Sequence, residues 1–291
     1  MPELSIVIPV RDEESNLVTL VKRITDTMSK IGFTFEVIFV TDVNKDNTVG
    51  VLRDLNAKDD RIKFIKLSSG LGQHLAVHAG LSMTKGNAVV IMDGDLQDYP
   101  EDISILYDKY KEGYDVVFGI KEKKNDSGIR NIFSKTFVKV LNSLSDYKLN
   151  FNTCMFRIMS KRTVEAILRF SEREPSITGL ISIINYPTTE VLVTSGKRNA
   201  GETKYSFIRQ INLAISFLLS FSTKPLRIAS ILGFIISSLS FIYLIIVSIQ
   251  KLFFNISIAG WATIISLITL FSGLQLFFLF LFGEYIGKIF M

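Results

Sequence analysis

Two aspartates, Asp93 and Asp95, stand on either side of Gly94 in "AVVIMDGDLQDYPED", directly after an unbroken apolar run. A short apolar run bounded by polar residues reads as a buried strand, so both carboxylates fall where that strand ends. Paired carboxylates supply the oxygen ligands that a hard divalent cation takes, and such a cation often holds substrate phosphates as well. Gln97 adds an amide carbonyl two residues on. The motif is short, and alone it describes an acidic turn as well as a metal site. Its meaning depends on the elements that position it.

Those elements alternate. "LSIVIPV" reads as a strand, and Glu14 to Ile31 has helical spacing with Leu17, Leu20, Val21 and Ile24 on one face. "FEVIFV" is a strand, and "DNTVGVLRDL" opens with cap-type residues and becomes a helix. "IKFIKL" is a strand, "LGQHLAVHAGLSM" a helix and "AVVIM" a strand. Pro100 to Glu112 reads as a helix with proline at its start, and "YDVVFGI" as a further strand. The alternation predicts an α/β fold with a mostly parallel sheet covered by helices on both faces. Ligands of such sheets bind beyond the carboxyl ends of the strands, where Asp93 and Asp95 lie.

The rest of the chain has another character. Residues 228–249 carry no charge, which is long enough to cross a bilayer core, and a second uncharged stretch runs from Leu252 to Gly283. Two transmembrane helices are expected, at about 228–249 and 261–282, with Trp261 as an interfacial anchor. Between Tyr205 and Phe221, apolar residues alternate with Arg209, Gln210 and Asn212, as in an amphipathic helix lying at a membrane surface. The expected organisation is a globular domain over 1–204, a juxtamembrane helix over 205–224 and a two-helix anchor over 225–291. Lys224, Arg227 and Lys288 flank the spans on the side of the globular domain, so that domain is expected on the cytoplasmic face.

Charge excludes one class of partner. After Ser206 there are five basic residues and one acid, Glu284, which leaves 28 basic and 27 acidic residues before it. The globular part is nearly neutral and gives no reason to propose nucleic acid. Cys154 is the only cysteine, so no intrachain disulfide can form. His74 and His78 are four apart on an expected helix, but no glutamate lies between them as in a zinc-protease motif. "GLGQHL" has Leu75 where a dinucleotide fingerprint has its third glycine, and it follows the third strand.

Taken in order, "SIVIPVRDEESNL", "VTDVNKDNT", "GLGQHLAVHAG" and "MDGDLQDYPED" resemble the family 2 glycosyltransferases of the GT-A fold. "RNIFSKTFVKVLNSLSD", "FRIMSKR", "GETKYSF" and "FSTKPLRIASILG" extend the resemblance to the membrane-anchored polyprenyl-phosphate branch, relatives of dolichyl-phosphate mannose synthase. The resemblance implies that Pro9, Val10, Glu13 and Asp42 line a nucleotide base pocket. It implies that Asp93, Asp95 and Gln97 reach the ribose and a magnesium or manganese ion. Arg130, Lys135, Arg198 and Lys204 match basic positions near donor and acceptor phosphates, with Asp95 among the catalytic set. Lys121 matches an arginine of that branch, although "KEKKND" otherwise reads as a solvated loop.

The implied reaction moves one sugar, with inversion, from a nucleotide donor of the UDP type to a polyprenyl phosphate such as undecaprenyl phosphate. It would take place at a bacterial cytoplasmic membrane, and a homo-oligomer is compatible with the tail. The chain departs from the pattern at Asn152 and Met155, where many relatives carry aspartates, and at Arg11, Asp12, Gly70 and the order "GQH". Asn152 and Met155 make a membrane scaffold that kept the fold but lost catalysis the alternative, while the other departures point to a base pocket that differs in detail. A processive polysaccharide synthase fits less well, because its Q-x-x-R-W motif is absent and the only tryptophan is Trp261.

Overall fold

A computed structural model describes residues 1–70, 72–121, 143, 153–170, 176–194, 196, 224, 226–228 and 260–290, with scattered positions between 231 and 253. The chain divides into two compact units. One comprises Met1–Ser134 with Leu149–Lys204, and the other Lys135–Lys148 with Tyr205–Met291.

In the first unit the expected alternation is realised. Strand β1 (Leu4–Val10) leads to helix α1 (Glu14–Ile31), β2 (Phe35–Thr41) to α2 (Thr48–Lys58), and β3 (Ile62–Lys66) to α3 (Gln73–Leu81). Next come β4 (Ala88–Ile91), a 3-10 turn at Pro100–Asp102, α4 (Ile103–Lys111) and β5 (Val116–Lys121). The later elements are β6 (Thr153–Ser160), α5 (Lys161–Ile167), α6 (Ile177–Ile184) and β7 (Thr188–Val193). The seven strands form one sheet in the order β3-β2-β1-β4-β6-β5-β7. Only β6 runs against its neighbours β4 and β5.

The burial pattern explains the continuous apolar runs. The apolar residues of β1, β2 and β4 are all buried apart from a partly exposed Pro9, as expected of strands covered on both faces. Leu17, Leu20, Ile24 and Met28 of α1 close one face of the sheet, so the stripe read from the sequence is the packed one, with Val21 at its margin.

The amino ends of the strands are held by a buried acid. Glu36 accepts hydrogen bonds from Ser5 Oγ (2.6 Å), Lys85 N–H (2.7 Å) and Lys63 Nζ (2.6 Å). Burial alone would raise its pKa, but Lys63, Ser5 and the Lys85 amide together hold it below the ordinary glutamate value. Its contribution is therefore present above the unfolded pKa and lost as pH falls through the lowered folded value. Glu36→Gln is expected to cost about 2 kcal/mol at pH 7, since the Lys63 partner is partly solvated. The thermal midpoint should fall by roughly 5 °C. Thermal scans from pH 7 downward check this: the gap between the two proteins should close only as pH falls below the ordinary glutamate value, through the lowered folded one.

In the second unit, α7 (Trp261–Phe290) is a single 30-residue helix. Among the described residues, which are discontinuous in both charge-free stretches, no helix is long and apolar enough to cross a membrane. The amphipathic segment 205–221 lies outside the described residues.

Candidate functional site

Strand β1 lies between β2 and β4; the chain runs outward from β1 through β2 to β3 and then crosses back to β4 on the other side, so the sheet's topological switch point lies at the carboxyl ends of β1 and β4. Three loops meet there, following β1, β2 and β4. The first two are locked together by reciprocal bonds. Asp12 N–H donates to Asn44 Oδ1 (3.0 Å), while Asp12 Oδ1 accepts from Lys45 N–H (2.6 Å). Glu14 N–H donates to Asp46 Oδ2 (3.0 Å), and Glu14 Oε2 accepts from Asn47 N–H (2.9 Å). Glu13 N–H donates to Thr48 Oγ1 (3.0 Å). Asp12 adopts a left-handed conformation (φ 56°), which aspartate and asparagine tolerate better than most residues. The departure at Asp12 thus has a structural use.

Asp42 is buried at the end of β2. Its Oδ1 accepts from Val43 N–H (2.8 Å) and its Oδ2 from Gly72 N–H (3.3 Å), which ties it to the residue that opens α3. Helix α3 also serves the third loop: Gln73, its first residue, donates through Nε2 to Asp93 Oδ1 (2.7 Å).

The third loop carries the aspartate pair. Gly94 packs so closely on β1 that a Cβ would stand 2.6 Å from Val10 Cγ1, so the middle position must be small. Leu96 turns into the left-handed region (φ 64°), and the chain doubles back. Gln97 then donates to Asp95 twice, from its N–H to Oδ1 (3.1 Å) and from its amide Nε2 to Oδ2. The Gln97 carbonyl accepts from Gly196 N–H (3.0 Å). A Cβ on Gly196 would meet Leu96 O at 2.8 Å and Tyr99 Cε1 at 2.9 Å, so only glycine lets this segment lie against the loop.

Beneath the loop is a buried ionic cluster. Asp98, 1% exposed, accepts from Asp93 N–H at Oδ2 (3.0 Å). Its Oδ1 pairs with the Lys121 ammonium 2.9 Å away. Arg157, also 1% exposed, donates to the carbonyls of Cys154 (2.9 Å) and Met155 (3.1 Å) and to Thr178 Oγ1 (3.0 Å), and it lies over the Phe118 ring.

Burial pushes the Asp93 carboxyl up to about 7, and the Asp98 and Asp95 charges add to the rise, with Lys121 and Gln73 opposing it. Burial likewise brings Arg157 down to about 10, although Cys154, Asp93 and Asp98 favour its charged form. Burial works against the Lys121 cation too, but Asp98 outweighs it and the pKa is raised.

This arrangement suits a hard divalent cation. Among the described residues no three His, Cys, Asp or Glu side chains are grouped to hold a metal by themselves. Magnesium-type sites do not need such a cage, because one or two carboxylates suffice when water and substrate phosphates complete the shell. The high Asp93 pKa reflects carboxylate charge crowded into a buried site, which a cation would relieve.

The structure brings Pro9, Val10, Glu13, Asp42, Asp93, Asp95, Gln97 and Lys121 to this end of the first unit. Lys121, singled out from an otherwise solvated-looking run, closes β5 and pairs with a buried acid, and the rest of that run lies outside the described residues. Arg130, Lys135, Arg198, Lys204 and Asn152 lie outside the described residues. Met155 lies in β6 and gives its carbonyl to Arg157.

Sequence reasoning missed Gln73, Asp98, Arg157 and Gly196. A third carboxylate in "DGDLQD" was a usable signal for Asp98, and the order "GQH" puts Gln73 first in its helix. Arg157 interrupts "CMFRIM" in the manner of a solvent-facing strand residue, and nothing local shows that it is buried.

The model of a family described as "Glycosyl transferase family 2" matches residues 5–168. The chain is 35% identical over 289 residues to the uncharacterized glycosyltransferase YkcC of Bacillus subtilis, covering 99% of this chain and 90% of that one. It is 35% identical to the uncharacterized glycosyltransferase sll0501 of Synechocystis, covering 99% and 91%. It is 33% identical to the putative glycosyltransferase CsbB of Bacillus subtilis, covering 99% and 87%. Among solved structures, glucosyl-3-phosphoglycerate synthase from Mycobacterium tuberculosis, in complex with manganese, UDP and phosphoglyceric acid, aligns with a TM-score of 0.53. The identity is 16%, over 75% of this chain and 78% of that one, a likeness of fold.

Proposed function

The chain belongs to glycosyl transferase family 2, and from that premise we propose that it moves one sugar from a UDP-sugar to a polyprenyl phosphate at the cytoplasmic face of a bacterial membrane. Undecaprenyl phosphate is the acceptor in this reading, and magnesium or manganese the cofactor. The observation that carries it is the pair Asp93 and Asp95 at the switch point, with Asp93 raised to about 7 by burial and by its acidic neighbours.

Asp93 and Asp95, with Gln97 beside them, would hold the cation. Bound there, it would offset the charge that develops on the departing diphosphate. Asp42, fixed by Val43 and Gly72, offers a carboxylate at the base pocket. The acceptor needs little from the protein as a base. A phosphomonoester has its second pKa near 6, so it is largely an oxyanion at neutral pH. One of its oxygens attacks the anomeric carbon while the bond from that carbon to the UDP oxygen breaks, and the configuration inverts. The absence of an aspartate at Asn152 is compatible with such a nucleophile. Arg130, Lys135, Arg198 and Lys204 are proposed to orient the two phosphates and reduce their repulsion.

Membrane attachment belongs to the same proposal. Residues 261–282 carry no charged side chain, and Ile264, Ile268, Phe271, Leu276, Phe277 and Leu279 of α7 are exposed within the chain. A helix with that surface suits lipid, and it would keep the first unit near a lipid headgroup.

The test is transfer from a panel of radiolabelled UDP- and GDP-sugars to undecaprenyl phosphate in membranes, with and without manganese or magnesium. Metal-dependent label in the lipid fraction is the expected result. Metal-dependent UDP binding with no transfer from any donor would instead support the non-catalytic scaffold.

A further inference from the structure

We propose that Asp98 is the positioning residue of the aspartate loop: one oxygen fixes the main chain at Asp93, the other holds Lys121, and the two together set the affinity for the metal-bound nucleotide. The inference rests on the reading of Asp93 and Asp95 as metal ligands.

Three observations support it. Asp98 is 1% exposed although it carries a charge, and aspartate is rarely buried that completely unless it is paired. Its Oδ2 accepts from Asp93 N–H at 3.0 Å, a bond between residues five apart that closes the loop on itself. This bond fixes the peptide from which the Asp93 side chain departs, while Gln73 fixes that side chain's far end. The other oxygen, Oδ1, faces Lys121 Nζ at 2.9 Å, so the last residue of β5 is tied to the same loop.

Charge makes the arrangement purposeful. Asp98 lies between the Asp93 carboxylate of its own loop and the Lys121 and Arg157 cations, and its charge favours the charged form of both. Without Asp98 the Lys121 ammonium would lose the carboxylate that holds it at the loop. Groups that orient metal ligands without touching the metal are worth about 10–100-fold in metal affinity.

The experiment uses full-length protein in detergent. UDP binding is measured by calorimetry with and without manganese for the parent, Asp98→Ala and Asp98→Asn. Asp98→Ala should weaken UDP binding about 30-fold in manganese but less than about threefold without it. Asp98→Asn keeps an oxygen to accept from Asp93 N–H, so it should recover a large part of the loss. Equal losses with and without manganese would mean a merely structural residue and overturn the inference. So would unchanged binding in both variants, or an asparagine variant no better than alanine. If Asp98→Ala does not fold, Asp98→Asn alone decides: the inference predicts a manganese-specific weakening of a few fold, and none would overturn it. Failure of manganese to enhance UDP binding in the parent protein would strike the reading of the site itself.

Discussion

Asp95→Ala is expected to lower turnover by about 1000-fold while leaving the fold nearly intact. Among the described residues the carboxylate accepts only from Gln97, two residues away, through the backbone N–H (3.1 Å) and the amide Nε2. Among the described residues it bonds to no strand or helix, so the cost to stability should stay below about 1 kcal/mol. The catalytic cost is a different matter. A group that stabilises charge on a leaving diphosphate acts chiefly in the transition state, and losing one such interaction typically costs about 100- to 1000-fold in rate. A metal ligand belongs at the upper end, because the cation's whole contribution is weakened with it. Initial rates of transfer, beside a thermal unfolding curve, check both halves. Near-normal turnover in Asp95→Ala would end the assignment of Asp95 as a metal ligand. Asp95→Asn should resemble alanine in rate, since it keeps the shape and lacks the charge.

The contrast between Asp93 and Asp95 could not be read from the sequence, where they look equivalent. Strand alternation and apolar runs located β1 to β5 and the helices between them, because burial of a parallel sheet on both faces leaves a local, periodic record. The same record placed the aspartates at a strand end. It could not show that Gln73 of α3 reaches across to Asp93, or that Asp98 turns inward under the loop. Those contacts depend on how elements far apart in the chain pack together, and a side chain's own neighbours carry no trace of that. The inverted strand β6 is a similar case. Its apolar residues would serve a parallel or an antiparallel strand equally well, and only its pairing with β4 and β5 fixes the direction. Lys121 was legible through the family resemblance and not through its local sequence. It begins a run of charges that looks solvated, yet its strand position brings it to a buried acid.

Arg157 shows most clearly what packing adds, and its replacement should have the largest effect on stability. Arg157→Met is expected to destabilise the first unit by about 4 kcal/mol. The guanidinium is 1% exposed, and it serves the carbonyls of Cys154 and Met155 and the Thr178 hydroxyl together. Methionine can fill much of the space, but it leaves those acceptors buried without donors, at about 1–3 kcal/mol for an unsatisfied group. It also removes a cation near Asp93 and Asp98, and breaking a buried charge arrangement by deleting one member costs about 3–5 kcal/mol. Arg157→Lys should recover little, because an ammonium cannot present the planar fork that these acceptors require. Denaturant unfolding of the three proteins checks the ranking, and a loss below about 1 kcal/mol in Arg157→Met would refute it. The pH dependence separates this residue from Glu36. Its pKa is lowered to about 10, so the folded state bears the cost of a buried cation at every pH below that value. Between pH 5 and about 9 the penalty is constant, and the difference between parent and Arg157→Met should not change through that residue's own titration. A fold that bears this cost across the working range must recover it locally, and Cys154 and the carboxylates of Asp93 and Asp98 are groups that favour the cation. Arg157 is therefore best understood as part of the same balance that holds the aspartate loop in place, and Arg157→Met should lose manganese-dependent nucleotide binding at temperatures where it is still folded.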